Sequence, residues 1–397
     1  MSAPLIYIIA GEPSGDALGG RLMAALKERS GGAVRFAGIG GENMAAEGLA
    51  SIAPIADLAI MGVTEVLPSL RRIFRHMAAV VADIRRLKPA AVVTIDSSGF
   101  TWRVAQRLRR LGETELPLIH YVAPMVWAWR PYNAERVARW YDHLLALLPF
   151  EPPYFTAVGL PCTYVGHPVV ESGADRADGG DFRRRHGIPM SAAVVAVLPG
   201  SRRGEVKRLL PVFGAAVSRL AERRPDLRVV VPTRETVAPI VSAAVFGWAA
   251  PAIVVRGEAD KYAAFAASNA AIAASGTVAL ELAMAKVPHL VGYRLLPLTH
   301  WQLRRIVKVK HIHLLNLILD RAVVPELVQQ DCEPTRIAEE IGRLLDDPAR
   351  REAQIAGCQE GLHRLGLGEL RPSYRAADVV LSIIAARARP DIRPSAA

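Results

Sequence analysis

The chain has 397 residues, of which 51% are hydrophobic and 22% charged, a composition that excludes disordered, collagen-like and disulfide-rich proteins. Its length suits two domains, each with a core of its own. The formal net charge of +11 at pH 7 favours an anionic partner, a condition that nucleic acid, acidic lipid and phosphorylated metabolites all meet.

The predicted strands are short runs rich in β-branched residues, and each leads through a Gly/Ser/Pro turn into a helical pattern. This alternation predicts parallel sheets with crossover helices. Two sets of strands are expected, one in each half of the chain. In chain order they are Leu5–Ala10, Val34–Gly38, Ala91–Ile95, Leu118–Val122, Leu144–Leu148, and then Val194–Leu198, Arg228–Val231, Ile253–Val255, Ala270–Ala274 and His289–Gly292.

Between the two sets, residues 171–180 are polar and Gly-rich without apolar periodicity, which is typical of a linker. The sequence therefore predicts a first domain over 1–170, the linker, a second domain over 181–370, and a terminal helix and tail over 371–397. That helix is expected to run from Ser373, its N-cap, to Arg387. The uncharged stretch Thr236–Val255 contains prolines and predicts a helix followed by a strand rather than a membrane span.

The spacing of the cysteines and the first residues of the chain both indicate the cellular compartment in which the protein is found. The three cysteines lie far apart, without the spacing of a zinc site or a disulfide framework, which favours a reducing compartment. No Lys or Arg precedes Glu12, so the basic region of a secretory signal is lacking. A cytoplasmic protein is expected.

The first predicted strand ends at a glycine-rich turn, Gly11 to Gly20, that leads into a helix. Backbone can approach a ligand closely at such a turn. The carboxylates of Glu12 and Asp16 would repel a pyrophosphate, so a polyhydroxylated ligand suits the turn better than a dinucleotide. The alternative is a tight turn in which Asp16 caps the helix.

Asp96 follows the third predicted strand, at the carboxyl end where parallel α/β sheets bind ligands. A carboxylate at this place can act as a general base. The alternative is structural, with Asp96 or Ser98 as the N-cap of the next helix.

Two turns of the second domain have the composition of a diphosphate site. Gly200-Ser201-Arg202 opens a helix and offers N–H donors and a guanidinium, and the alternative is a solvated basic helix start. Ser275-Gly276-Thr277 also opens a helix. Glu281, one turn inside that helix, either accepts ribose hydroxyls or complements the helix dipole.

Two basic amphipathic stretches are candidates for membrane contact, Thr64–Leu87 and Trp301–His313. In each, apolar residues are interspersed with arginines or lysines, which suits an anionic bilayer. The alternative is a helix that packs on its own domain. The candidate membrane residues of the first stretch are Leu70, Arg71, Arg72, Phe74, Arg75 and Met77.

Taken in order, the motifs resemble those of the lipid-A-disaccharide synthases, a family of membrane-associated glycosyltransferases with the GT-B fold. The resemblance covers nearly the whole chain. It rests on Gly11-Glu12-x-Ser14-Gly15-Asp16, Met61-Gly62-x-x-Glu65-Val66-Leu67, Ile95-Asp96, His120-Tyr121-Val122-x-Pro124-x-Val126-Trp127-Ala128-Trp129-Arg130, Leu148-Pro149-Phe150-Glu151, Gly166-His167, Leu198-Pro199-Gly200-Ser201-Arg202, Ser275-Gly276-Thr277-x-Ala279-Leu280-Glu281, Gly292-Tyr293-Arg294 and Asn316-Leu317.

The resemblance implies an α/β protein of two Rossmann-like, doubly wound domains facing a central cleft, with a C-terminal helix crossing back. It implies inverting transfer of 2,3-diacylglucosamine from its UDP derivative to the 6-hydroxyl of 2,3-diacylglucosamine 1-phosphate, which gives UDP and the β-1,6-linked disaccharide 1-phosphate of lipid A biosynthesis. No metal or other cofactor is implied. The expected partners are these two substrates, the anionic lipid of the cytoplasmic face of the inner membrane and a second copy of the chain, and not nucleic acid.

The resemblance also implies residue roles, with Asp96 as the general base and Arg202 neutralising the leaving diphosphate. The nucleotide-binding residues expected are Gly200, Ser201, Arg202, Glu205, Ser275, Gly276, Thr277, Glu281 and Asn316, and the acceptor-binding residues are Glu12, Ser14, Gly15 and Asp16. The chain departs from the family pattern where Gly99 replaces a second Asp and Leu315 replaces a Pro.

Two other functions remain open from the sequence. A metal-free enzyme of the same fold could act on a soluble UDP-sugar as a 2-epimerase, without a lipid acceptor. The positive charge could instead mark a nucleic-acid-binding protein, although aromatic residues make up only 6% and no recognition-helix or zinc pattern is present.

Overall fold

The computed structural model describes residues 3–58, 66–129, 131–296, 301 and 309–388, with the side chains of 66–71 and 388 excepted. The chain divides into two compact units. The first consists of Met1–Pro168 and Gly368–Ala397, and the second of Val169–Leu367.

The first unit is built on a parallel sheet whose described strands run in the order β2-β1-β3-β4-β5-β6. These strands are β1 (Leu5–Ala10), β2 (Arg35–Ile39), β3 (Ala91–Ile95), β4 (Leu118–Tyr121), β5 (His143–Ala146) and β6 (Cys162–Tyr164). The helices between them are α1 (Pro13–Arg29), α2 (Glu42–Ala46), α3 (Val66–Leu87), α4 (Ser98–Arg110), α5 (Asn133–Ala138) and α6 (Pro152–Thr156). Alternate residues of β1 enter two separate cores, one on each face, so helices cover both faces of the sheet.

The second unit repeats this plan, with described strands in the order β12-β11-β10-β7-β8-β9. These strands are β7 (Val194–Leu198), β8 (Arg228–Pro232), β9 (Ala252–Val255), β10 (Ala270–Ala273), β11 (His289–Tyr293) and β12 (Glu326–Val328). The helices are α7 (Gly179–Arg185), α8 (Arg203–Arg223), α9 (Ala238–Val245), α10 (Glu258–Ala266), α11 (Thr277–Met284), α12 (Leu314–Leu319), α13 (Pro334–Asp346) and α14 (Pro348–Arg364). None of the described helices combines the length and the apolar composition that crossing a bilayer requires.

The terminal helix α15 (Pro372–Ala388) belongs to the first unit, where it packs against α1. Ala376, Ala377 and Val380 are fully buried in the core that α1 shares. Arg29 of α1 and Asp378 form an ion pair at 2.6 Å. Because α15 starts at Pro372, Ser373 lies in its first turn rather than at the N-cap.

All ten strands expected from the sequence are present within two residues of their predicted bounds. The sequence missed β6 and β12, which are three-residue strands at the edge of each sheet. Thr236–Val255 forms α9 and β9, as predicted. The expected linker 171–180 contains helical turns and lies in the second unit, since Asp178 caps α7 by accepting the N–H groups of Gly180 and Asp181.

Candidate functional site

Each sheet has one point at which the strand order reverses, and the loops beside such a point form ligand sites in parallel α/β proteins. In the first unit this point lies between β1 and β3, where Ala10 pairs with Ile95. In the second unit it lies between β7 and β10, where Leu198 pairs with Ala273. The four loops that leave these strands hold most of the site residues predicted from the sequence.

The turn after β3 holds Asp96 in an uncommon backbone conformation. Asp96 has a φ of 48° and Ser97 a φ of 46°, so two consecutive residues other than glycine are left-handed. The N–H of Asp96 donates to the carbonyl of Tyr121 at 2.9 Å, and the Thr101 hydroxyl donates to the Asp96 carbonyl at 2.8 Å. Strain of this kind persists only where surrounding contacts enforce it, and it concentrates at functional sites.

The Asp96 carboxylate does not cap the next helix. The N-cap position of α4 is Ser97, whose side chain makes no capping hydrogen bond. Within residues 3–58, 66–129, 131–296, 301 and 309–388, the half-buried Asp96 carboxylate has no hydrogen-bond or ion-pair partner. The cap that was the alternative role of Asp96 is therefore not formed, and the carboxylate is accessible to a ligand.

Asp16 has a structural role in the first unit, and the sugar contact expected of it stays a prediction. Its buried carboxylate accepts the N–H groups of Gly41, Asn43 and Met44 at 2.6, 3.0 and 3.1 Å, and the side-chain amide of Asn43 at 2.8 Å. It thus caps α2, and not its own helix α1 as the structural alternative had it. These four bonds occupy the acceptor sites of a carboxylate, so Asp16 positions the loop after β2.

The rest of the turn after β1 lies against the Asp96 turn. A Cβ at Gly11 would overlap the side chain of Ser97, so only glycine allows this approach. Gly15 is buried, and a Cβ there would touch β1 and β3 at 3.5 Å. Glu12 and Ser14 are exposed at the same edge of the sheet. They are the candidate acceptor-binding side chains that the turn presents to solvent.

A chain of buried polar side chains lies beneath the Asp96 turn. The Trp102 indole only donates, so its 3.5 Å bond to Nε2 of His120 makes that nitrogen an acceptor and places the imidazole proton on Nδ1. Nδ1 then donates to the Thr94 hydroxyl at 2.8 Å, and Thr94 donates to the Tyr141 hydroxyl at 3.0 Å, its nearer acceptor, since the Ile119 carbonyl lies at 3.4 Å. Burial lowers the pKa of His120 to about 3, which keeps the imidazole neutral. This chain was not predicted from the sequence, where its one signal is a threonine inside the apolar run Ala91–Ile95.

A second buried carboxylate, Glu151, joins two loops at the carboxyl edge of the first sheet. It accepts the Trp127 indole N–H at 3.2 Å and the Leu148 N–H at 3.0 Å. Burial raises its pKa to about 7. The loop after β4 and the loop after β5 are therefore held together by a group that titrates near neutral pH.

In the second unit, Glu205 closes the turn after β7. Its buried carboxylate accepts the Ser201 N–H at 3.1 Å and a hydrogen bond from Tyr293, whose hydroxyl pKa is raised by burial and by this carboxylate. Gly200 has a φ of 103° and lies so close to Glu205 that a Cβ would overlap the carboxylate. Glu205 therefore shapes the turn from inside, and the nucleotide contact expected of it stays a prediction.

Arg202 is the N-cap residue of α8, and its side chain is exposed. In the described part of the chain, no hydrogen bond or ion pair engages its guanidinium. The positive end of the 21-residue helix α8 lies at the same place. A guanidinium beside a helix N-terminus is a suitable arrangement for binding a diphosphate.

The turn after β10 is a neighbour of the turn after β7, because the two strands are paired. Gly276 has a φ of 143°, a Cβ there would meet nothing within 4 Å, and Thr277 begins α11. Ser275 donates its hydroxyl to the Ile312 carbonyl at 3.3 Å. These residues form an open turn of small side chains at the start of a helix.

Glu281 has a protein partner that neither sequence interpretation included. Lys261 of α10 forms an ion pair with it at 2.8 Å, and the Tyr262 hydroxyl, which donates to Glu258 at 3.0 Å, lies 3.4 Å from it. The carboxylate thus joins α10 to α11 just behind the Ser275 turn.

Asn316 is fully buried, and its side chain is fully paired. Oδ1 accepts two successive backbone N–H groups at 2.8 and 2.9 Å, and Nδ2 donates to a carbonyl at 2.7 Å and to Glu326 at 2.8 Å. Glu326 also accepts the N–H of Ile312 at 2.9 Å. Asn316 therefore fixes the segment that meets Ser275, and the nucleotide contact expected of it stays a prediction.

The residues of α3 that were predicted to contact a membrane fall into two groups, those with partners in the first unit and those exposed at its surface. Most of its apolar stripe is core, and Met77 packs partly against that core. Arg72 forms an ion pair with Asp57 at 3.0 Å. Phe74 is 50% exposed and Arg75 is exposed, so these two side chains remain at the surface.

Several predicted features lie outside the described residues. They are the side chains of Leu70 and Arg71, the motif residues 61–65, Arg130, and residues 302–308 of the second amphipathic stretch. Trp301, at the start of that stretch, is exposed.

The sequence itself matches a known family over almost its full length. A family model described as lipid-A-disaccharide synthetase matches residues 6–378. The chain belongs to this family. It is 57% identical over 387 residues to the lipid-A-disaccharide synthase of Rhodospirillum centenum, covering 98% of this chain and 96% of that relative. It is 52% identical over 382 residues to the synthase of Paramagnetospirillum magneticum, covering 96% and 97% of the two chains.

Membership of this synthase family confirms the function that the motifs predicted, so the protein is a glycosyltransferase of lipid A biosynthesis. Solved structures confirm the GT-B fold. UDP-GlcNAc 2-epimerase from Neisseria meningitidis matches with a TM-score of 0.64 at 11% identity, over 96% of this chain and 99% of that one. The calicheamicin glycosyltransferase CalG4 matches with a TM-score of 0.56 at 16% identity, over 99% and 100%. At such identities the likeness concerns the fold alone, so it does not favour the 2-epimerase alternative.

Proposed function

We propose that this enzyme transfers a 2,3-diacylglucosamine unit from UDP to the 6-hydroxyl of 2,3-diacylglucosamine 1-phosphate, with Asp96 as the base and Arg202 stabilising the leaving UDP. One observation carries the assignment of roles. Each of these residues follows a strand at the point where its sheet reverses strand order, and each has a side chain without a partner among the described residues.

Asp96 serves the acceptor side of the reaction. Its carboxylate takes the proton of the 6-hydroxyl while that oxygen forms a bond to the anomeric carbon of the donor. The attack comes from the face opposite the diphosphate, so the configuration at the anomeric carbon inverts. The exposed side chains of Glu12 and Ser14 lie on the neighbouring turn, where they can bind hydroxyls of the acceptor sugar.

Arg202 serves the donor side. The bond between the anomeric carbon and the diphosphate oxygen breaks, and UDP leaves with the electron pair. A guanidinium binds two diphosphate oxygens at once, and the N-termini of α8 and α11 add positive potential where this charge develops. The Ser201 hydroxyl and the open turn at Gly276 and Thr277 lie beside it.

We also assign a membrane-facing edge to the first unit. Helix α3 leads back to the start of β3 and therefore begins at the carboxyl edge of the sheet, the edge from which the loop after β4 also leaves. Phe74, Arg75, Met125, Trp129 and Tyr132 are exposed on these two segments. Apolar side chains beside arginine suit the headgroup region of an anionic bilayer, the place where acylated substrates are found. A homodimer stays a prediction of the sequence.

The reaction is tested with purified protein, the acylated UDP-sugar and the 1-phosphate acceptor, in the presence of a chelator, with the disaccharide 1-phosphate detected by mass. Asp96→Asn and Arg202→Ala are each expected to lose at least a hundredfold in turnover while keeping their circular dichroism, an effect typical of lost acid–base or charge stabilisation. Arg203→Ala, one residue along, is the matched control. Turnover of UDP-N-acetylglucosamine without any lipid acceptor would contradict the proposal.

The two catalytic roles are separated by UDP affinity. Arg202→Ala should weaken UDP binding by about tenfold to a hundredfold, because hydrogen bonds to charged groups contribute about 1.5–3 kcal/mol. Asp96→Asn should leave UDP affinity within a factor of two. An Asp96→Asn variant with near-normal turnover would remove the proposed base.

Membrane contact is tested by cosedimentation with anionic vesicles at low salt. Phe74→Ser should release the protein into the supernatant. Phe246→Ser is the matched control, because Phe246 is 94% exposed on the second unit. Equal partitioning of both variants and the unsubstituted protein would mean that Phe74 does not insert.

A further inference from the structure

The left-handed pair Asp96 and Ser97 needs an external constraint. L-residues other than glycine avoid this region because Cβ crowds the following carbonyl. Both carbonyls of the pair accept the Thr101 hydroxyl, at 2.8 Å for Asp96 and 3.1 Å for Ser97. Thr101 lies one turn into α4 and is fully buried. A single hydroxyl thus bonds to both residues of the turn that presents the Asp96 carboxylate.

The direction of the Thr101 hydroxyl is set by the buried chain beneath it. The indole of Trp102 donates to His120, His120 donates from Nδ1 to Thr94, and Thr94 donates to the Tyr141 hydroxyl. Tyr141 is also hydrogen-bonded to Thr101. Since the oxygen of Tyr141 already accepts from Thr94, its own proton is directed to Thr101, which leaves the Thr101 proton for the two carbonyls.

We infer that Thr101 is a positioning residue of this glycosyltransferase, held by a one-way chain of hydrogen bonds that starts at Trp102 and fixes the turn from which Asp96 acts. The inference rests on the proposed role of Asp96 as the base. Thr101 is too deeply buried to touch a substrate, so its effect passes through the backbone of the Asp96 turn. Such a residue changes the rate of the chemical step and leaves substrate binding unaltered.

The test compares two substitutions of the same size class at one position. Thr101→Val keeps the shape and removes the hydroxyl, whereas Thr101→Ser keeps the hydroxyl. We expect Thr101→Val to lower kcat at least tenfold, which corresponds to about 1.4 kcal/mol of barrier, with KM for both substrates within twofold. Thr101→Ser should stay within threefold of the unsubstituted enzyme. Equal kcat values for the two variants, or a change confined to KM, would overturn the inference.

A second variant keeps the inference testable where Thr101→Val does not fold. Tyr141→Phe keeps the ring and removes the hydroxyl that donates to Thr101, so we expect kcat to fall at least threefold with KM unchanged. If the kcat of Tyr141→Phe equals that of the unsubstituted enzyme, the inference that this chain of hydrogen bonds positions Thr101 is wrong. Asp96→Asn is measured in the same assay. If it keeps turnover, the proposed base is wrong; if it is inactive while Thr101→Val is fully active, only the positioning role is wrong.

Discussion

Acid should destabilise the first unit through His120. The folded state holds the pKa of this imidazole at about 3, against an ordinary value of 6.5, because the ring is buried. Below pH 6.5 the imidazole therefore binds a proton in the unfolded chain, whereas it stays neutral in the folded protein. The stabilisation is fully present above pH 6.5 and is lost progressively as the pH falls from 6.5 towards 3.

The size of the effect follows from the two pKa values. Each pH unit inside the window costs about 1.4 kcal/mol, so at pH 4.5, two units below the ordinary value, the loss is about 3 kcal/mol. A whole domain has about 5–15 kcal/mol of stability, so this one residue removes a substantial part of it.

His120→Asn is the informative variant, because an amide can donate and accept as the imidazole does but cannot titrate. The variant is less stable at every pH, since it loses ring contacts with Tyr141 and Trp102 at 4.9 and 6.5 Å between centroids. The prediction concerns the slope. Between pH 8.0 and 4.5 the unsubstituted protein should lose about 3 kcal/mol more than the variant.

Urea unfolding at pH 8.0, 6.5, 5.5 and 4.5, followed by tryptophan fluorescence, measures these slopes. The first unit contains four of the six tryptophans, so the signal reports mainly on it. His363→Asn, at an exposed histidine, is the matched control and should follow the unsubstituted curve. Parallel curves for His120→Asn and the unsubstituted protein would refute the reasoning.

Three further predictions concern other buried groups. Asn316→Ala should destabilise the second unit by about 3 kcal/mol in chemical unfolding, since buried backbone groups lose their partners; unchanged unfolding would contradict its structural role. Glu151→Gln should remove a pH dependence of stability, because the raised pKa of Glu151 means that stability present below pH 4.5 is lost as the pH rises through about 7. The unfolding free energy of the unsubstituted protein should therefore fall relative to that of the variant over this range, and a constant difference between the two would refute the prediction. The Cβ added by Gly11→Ala should displace the side chain of Ser97 and slow turnover at least tenfold. The second substitution Ser97→Gly should restore most of the rate, and a double variant no faster than Gly11→Ala would disprove this contact.

The sheets could be predicted because buried parallel strands have a strong signal. Runs such as Ala91–Ile95 and Val194–Leu198 are apolar throughout, since both of their faces are covered by helices. Cys162–Tyr164 and Glu326–Val328 lack that signal, because an edge strand is covered less completely and three residues show no period. Helix α1 begins at Pro13, earlier than the glycine-rich sequence suggested, because proline is suited to the first turn of a helix.

The site was predictable only in part. Asp96 could be singled out because it follows the apolar strand β3 directly, and Arg202 because it opens the helix after β7; their catalytic roles stay predictions. Asp16, Glu205 and Asn316 are just as polar and lie in the first turn of α1, α8 and α12, but each is hydrogen-bonded to backbone groups, a pairing that the sequence alone does not reveal. A polar residue in a turn either binds a ligand or closes the turn, and only its neighbours in space decide which.

Helix α15 has a consequence for how the first unit is made. The ribosome finishes the strands of this unit at β6, but the helix that covers α1 is translated only after the whole second unit. Until then the apolar face of α1 stays uncovered on the nascent chain, where it is a binding surface for chaperones and a point of aggregation. A premature stop codon before Pro372 would consequently damage the half of the protein encoded first, while the half encoded just before the stop could still fold.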